Sequence, residues 1–457
     1  MSGSNPDEQV NSNPVAEVVT NHHESRGGSS WTQRLRIGIC CGVALATLYE
    51  NASPAPVQEQ VAWSIDVMFP DRPIPKNKIV EIAPPVPHDA EMKVRFLISQ
   101  PSSKKIEADK IKSRSQEIKA KYPDMTDRAI EGMVQYQVRQ EIADFYELTV
   151  FDPTATIQAL SQDLAKPSDK QMPIEDYLAT ANNFFGNYDG AEITTEVQSE
   201  YDYNLGPVSE PLLSSQSSRE ILLKHVEELA KHPLEMIRLN GFKQLVLAEQ
   251  KKGEPNAGGY VIPNGSGKVV ANMSAPTVNV VPHELGHLTD LAISGGYEAM
   301  QNDPGFNAVS GITKDKGEAW TDYKQPANLA SGQPITLPQF AEYRKEVTSQ
   351  VSEAARDHDP NCKTLAEQAE NSLAKIGRMV TFLESYSSAT ILEAKANIYG
   401  TLPDNTHQLI DTHTPKLNNQ LVHLLAGIYQ YNPRVVMFYL DMSYRPERAT
   451  SLVDLCQ

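Results

Sequence analysis

Residues 279–290 read Asn279-Val-Val-Pro-His283-Glu284-Leu-Gly-His287-Leu-Thr-Asp290, and this stretch decides how the rest of the chain is read. Two histidines four positions apart project from one face of an α-helix, so both imidazoles can reach a single ion. Zinc accepts neutral imidazole nitrogen readily, and a catalytic zinc site keeps one coordination position for water. Glu284 directly follows the first histidine and so stands beside the ion's water rather than on the ion. Bound zinc lowers the pKa of that water, and a neighbouring carboxylate accepts its proton. The pattern predicts Zn2+ held by His283 and His287, with Glu284 as general base. Val280 and Val281 give the helix an apolar start that sinks it into a core.

Working outward, three short strand candidates precede the motif at residues 242–248, 259–262 and 268–273, separated by Gly-rich turns. The last of them lies just before the motif helix and is expected to offer its edge to an extended polypeptide by β-augmentation. Farther upstream, Ser217-x-x-Glu220 reads as a capping box opening a helix over 221–231, with Leu222, Val226 and Leu229 on one face. Downstream, residues 340–356, 364–399 and 417–429 read as helices. Short strands followed by helices make this an α+β chain.

The segment NVVPHELGHLTD resembles the active-site helix of the zincin metallopeptidases, in particular the gluzincin branch with its thermolysin-like and fungalysin-like enzymes. The resemblance spans roughly residues 218–325. It implies a zincin-like catalytic domain, peptide-bond hydrolysis, a polypeptide substrate and a third zinc ligand, a glutamate on a later helix. Two segments fit that last role. Gly317-Glu318-Ala-Trp-Thr-Asp322-Tyr323 is similar to the branch's Glu-x-x-Ser/Thr-Asp pattern and begins 31 positions after His287. Its Asp322 would accept the second N–H of a ligating imidazole. Glu393-Ala-Lys-Ala-Asn397 resembles a second signature of the branch but lies 106 positions after His287, and carries an uncharged Asn where an acid is expected. Proximity and Asp322 favour Glu318, with Glu393 as the alternative. The branch also uses a distal His or Tyr to stabilise the oxyanion; Tyr323 and His413 are the candidates, with Tyr297 and His407 behind them. His22, His23, His88, His225, His232, His358 and His423 stand in no motif. A different class of reading, an inactive zincin fold kept as a binding module, is disfavoured by the intact Glu284. A zinc hydrolase or effector restricted to one substrate is the other alternative.

Composition sets the outer limits. The chain has 457 residues, 40% hydrophobic and 22% charged, which suits a soluble globular protein with a core of its own. A formal net charge of -17 excludes nucleic acid as a partner, because phosphate contacts need a basic face. It also weighs against stable association with an anionic membrane. No CxxC pair accompanies the four cysteines, so a finger-type structural zinc site is excluded. Cys362 and Cys456 either form one disulfide, in an oxidising compartment, or remain two thiols.

The N-terminal half is harder to place. Residues 1–33 are polar and read as a disordered tail. Residues 34–49 carry Arg34 and Arg36 before a short apolar run, a signal- or anchor-like segment too short for the roughly 20 residues of a membrane span. Export is the expectation, with a cytoplasmic or injected protein as the alternative. Residues 50–216, with a Pro-rich linker, read as an accessory or pro-region: a strand at 93–99, helices at 104–121 and 125–148, then a Gly- and Ser-rich boundary at 186–216. Residues 217–457 are the expected metallopeptidase domain.

Overall fold

Residues 244–250 bury side chains on both faces: Leu245 and Leu247 enter one core, Val246 and Ala248 another. This alternation is what a strand covered on both sides requires. The computed structural model describes residues 84–100, 108–197, 205–250, 258–262, 266–274, 280–310, 313–314, 323–324, 335–380, 382–383, 391–410, 413–442 and 451–456. The polar tail, the signal-like segment and most of the Pro-rich stretch lie outside them.

In chain order the elements begin with helices α1 (His88–Ser99), α2 (Ala108–Lys121), α3 (Asp127–Tyr146), α4 (Thr154–Leu164) and α5 (Ile174–Phe185). Strands β1 (Glu192–Thr194) and β2 (Leu205–Pro207) follow, then helices α6 (Glu210–Leu213), α7 (Gln216–Leu229) and α8 (Leu234–Asn240). Next come β3 (Gln244–Gln250), β4 (Gly259–Val261), β5 (Lys268–Asn272) and the motif helix α9 (Val280–Ser294). Two short helices, α10 (Tyr297–Gln301) and α11 (Pro304–Ser310), lead to the small hairpin β6 (Thr313–Lys314) and β7 (Tyr323–Lys324). The remainder is helical: α12 (Leu337–Arg356), α13 (Cys362–Gly377), α14 (Ile391–Leu409), α15 (Pro415–Tyr431) and α16 (Pro433–Met442). The fold is α+β, mostly helical with a small mixed sheet.

The sheet has the order β1-β3-β5-β4, with β2 also on β3. Strands β1 and β5 run parallel to β3, while β2 and β4 run antiparallel to their neighbours. One face, through Leu245, Leu247, Val269 and Ala271, packs on Val281, Leu285 and Leu288 of α9. Burial of that apolar face, at about 25 cal/mol per Å2, is what seats the motif helix against the sheet.

Several sequence expectations change here. Residues 93–99 are the end of helix α1, not a strand: Ala90 and Val94 bury at a four-residue interval against α15. Helix α7 begins earlier than its expected capping box, with the Ser215 hydroxyl accepting from Ser218 N. The expected long helix over 364–399 is two helices, α13 and α14. Residues 186–216, expected as a boundary, supply β1 and β2 to the sheet. One core joins Ala90, Val138 and Ile142 with Leu373, Leu421 and Phe438, so the line at 216/217 is not a break in packing. The strand expected to bind substrate, β5, is flanked on both sides by β3 and β4, and its edges are used up. Cys362 and Cys456 form a disulfide that ties the start of α13 to the C-terminal residues.

Candidate metal centre

Helices α9 and α14 cross at close range because a glycine of each meets the backbone of the other. A Cβ on Gly286 would overlap the Ala396 carbonyl oxygen and lie 2.9 Å from Ala396 Cα. A Cβ on Gly400 would lie 2.6 Å from Pro282 O and 3.1 Å from His283 N. The backbones therefore touch, and side chains beside the crossing reach from one helix to the other.

From α9 come His283, Glu284 and His287; from α14 comes Glu393. The two imidazoles converge edge to face, with ring centres 4.8 Å apart. Glu393 Oε2 sits 2.8 Å from His283 Nε2 and 3.5 Å from His287 Nε2. The ligating atoms of these three residues all lie within 4.8 Å of one another, a group that could hold a metal ion. Tetrahedral zinc with ligands at about 2.0–2.1 Å needs donor atoms about 3.3 Å apart, and the Glu393 distances bracket that value. Two imidazole nitrogens and one carboxylate oxygen are also a donor set zinc accepts. The residues fit the ion.

Charge and burial act together on the cluster. Burial opposes a charge on His283, but the hydrogen bond to Glu393 and the charges of Glu284 and Glu393 outweigh it, raising His283 to about 9. Burial likewise opposes charge on Glu393, yet the two imidazoles against its carboxylate hold it well below the usual carboxylate range. Glu284 differs: its carboxyl is pushed up, first by burial, with its Oε2 enclosed and without a hydrogen-bond partner.

Asn397, one turn after Glu393, accepts from His283 Nδ1–H at 2.8 Å and so directs Nε2 toward the ligand position. An amide oxygen accepts this bond as a carboxylate would, so the missing charge at position 397 does not disqualify the Glu393 segment. Tyr297 on α10 feels the Glu393 charge, which, after burial, helps raise its hydroxyl. His413 lies elsewhere, its backbone carbonyl packed against Gly377 at the end of α13. Tyr323 pairs with Lys314 in the β6–β7 hairpin. Glu318 and Asp322 lie outside the described residues.

Other site features had no readable signal. The Gly286–Ala396 contact needs a partner helix 110 positions further on, and the reach of Lys395 to Asp290 depends on the same crossing. His423, which stands in no motif, bonds to Asp303 and Glu91. No protein-family model matches this chain, and no curated protein or solved structure matches it.

Proposed function

We propose that the chain is a zinc-dependent endopeptidase of zincin type, with His283, His287 and Glu393 as ligands and Glu284 as general base. The observation that carries the reading is the Glu393 carboxylate placed between the two motif imidazoles, with Glu284 enclosed beside them. Zinc, when bound, would polarise a peptide carbonyl and acidify a water molecule.

The chain's own groups supply the rest. Glu284 is placed to take a proton on its carboxylate and return it to the leaving amine, and burial pushes its pKa up, toward that of a group that can hold the proton as well as accept it. Asn397 holds His283 in the orientation a ligand needs. Strand β4 (Gly259–Val261) runs antiparallel to β5 beside the motif helix. Gly259 brings that strand up to the base, since a Cβ there would lie 3.4 Å from Glu284 Oε1. The Cys362–Cys456 disulfide supports an oxidising, exported location.

The test is hydrolysis of a peptide library by purified protein, with zinc and with a chelator. Wild-type protein should cleave and lose activity with the chelator. Glu284→Gln should keep its zinc and lose roughly 100-fold or more in turnover, as expected for a positioned base. Zinc-loaded wild type that cleaves nothing, or a glutamine variant that cleaves normally, refutes the proposal.

A further inference from the structure

Behind the ligands, a second contact fastens the same two helices. Lys395 on α14 is fully buried; its ammonium lies 2.8 Å from Asp290 Oδ1 on α9 and 3.2 Å from Asp303 Oδ2 just before α11. It also donates to Met300 O at 3.1 Å. Asp303 continues the line, with Oδ2 3.3 Å from His423 Nε2 on α15, and His423 Nδ1 lies 3.1 Å from Glu91 Oε1 on α1. Five ionisable side chains therefore run without a gap from the motif helix to helix α1.

Such an array is expensive to bury. Each ion removed from water costs several kcal/mol, and well-packed apolar side chains of similar volume are often no less stabilising. Its advantage over an apolar contact is direction: a charged hydrogen bond fixes an angle that packing leaves loose. The geometry shows which angle. Ala396 touches Gly286 at the crossing. At about 100° per residue, Glu393 and Asn397 leave α14 on one side of that line and Lys395 on the other. Held on both sides, α14 cannot roll on α9.

We propose that Lys395, steadied through Asp303 and His423 by Glu91 of helix α1, is a positioning residue that fixes the roll of α14 and so aims Glu393 and Asn397 at the two histidines. This rests on those residues holding a metal. It makes α1 part of the metal centre, not a removable pro-region.

The test uses the full chain and reads zinc affinity by chelator competition, the absorption spectrum of the cobalt-substituted protein, and the melting temperature. Lys395→Met should weaken zinc binding about 10–100-fold, the range for residues that orient ligands, and alter the cobalt spectrum. Glu91→Ala should act in the same direction by less, and Glu91→Gln, whose amide oxygen still accepts from His423, should restore wild-type affinity. Asp163→Asn is the comparison: it breaks a buried ion pair with Arg219, and neither residue lies on a ligand-bearing helix. It should lower the melting temperature with zinc affinity unchanged. If Lys395→Met does not fold, the two Glu91 variants decide. Variants that melt lower yet keep wild-type affinity and spectrum overturn the proposal, reducing the array to ordinary core structure. Wild-type protein that takes up no zinc is a separate result, and it removes the metal reading together with the proposal.

Discussion

Replacing Glu393 by Gln tests the metal centre at its most exposed assumption, the identity of the third ligand. Glu393 is the only carboxylate among the described residues that lies within ligand distance of both His283 and His287. Glutamine preserves the shape and removes the anionic oxygen. A structural zinc site with four protein ligands binds with about 10–16 kcal/mol at pH 7, or about 3 kcal/mol per ligand. At about 1.4 kcal/mol per decade, losing that oxygen should weaken zinc binding by roughly 100-fold. The residue is buried, so some stability will also be lost; circular dichroism at the assay temperature separates unfolding from lost affinity. The assay is competition with a chromophoric chelator near pH 7.5, with Glu318→Gln alongside. The expected result is a large loss for Glu393→Gln and none for Glu318→Gln. The reverse pattern would refute the ligand assignment while leaving the two histidines in place.

Two further predictions follow from packing and burial. Gly286→Ala places a methyl group against the Ala396 backbone, which cannot yield as a side chain would; it should cost about 1–3 kcal/mol and weaken zinc binding, and wild-type affinity in this variant would show that the close crossing does not set the site. His225 and His232 are buried and held neutral, depressed by burial to about 4 and about 3. Unfolded histidine titrates near 6.5, so the unfolded chain binds more protons below that value: the stability is fully present above about pH 6.5 and lost as pH falls through 4. At about 1.4 kcal/mol per unit, His225 alone contributes on the order of 3 kcal/mol to that slope. Urea unfolding between pH 7 and 4.5 should show it, and His225→Leu should flatten it; an unchanged slope in that variant disposes of the argument.

The parts of the fold legible in the sequence are those whose causes are local. Residues 279–290 announce a helix with two histidines on one face, and α9 is that helix. Strands β3, β4 and β5 were readable from apolar runs bounded by glycine, because turn chemistry acts over a few residues. Helix α1 was not, since Lys93 to Ser99 alternates like a strand and only contact with α15 shows which period is used. The interior place of β5 in the sheet is not legible for a related reason. Chain order puts residues 268–273 next to the motif, whereas hydrogen bonding puts β4 outside β5.

The proposal of Glu393 as third ligand gives chain distance little weight. A reading by proximity prefers Glu318, 31 positions from His287, over Glu393, 106 positions away. Loop-closure entropy grows only as about (3/2)RT ln n, so the longer connection costs about 1 kcal/mol more. A single close helix crossing exceeds that. Glycines at 286 and 400 let the α9 and α14 backbones meet, Lys395 and Asp290 fasten the far side, and Ala396 and Ile398 bury completely or nearly so. A metal ligand must be held stiffly, and a buried helix locked at two points does this. Asn397 argues the same way. Its uncharged side chain weighed against the segment only while a negative charge was taken as the requirement; the requirement is an acceptor 2.8 Å from His283 Nδ1, and an amide oxygen meets it. In the proposed site, the helix that carries Glu393 is set apart by what lets it approach: small residues at the crossing, a charged clamp behind it and an acceptor one turn on. Glu393-Ala-Lys-Ala-Asn397-Ile-Tyr-Gly400 carries all three.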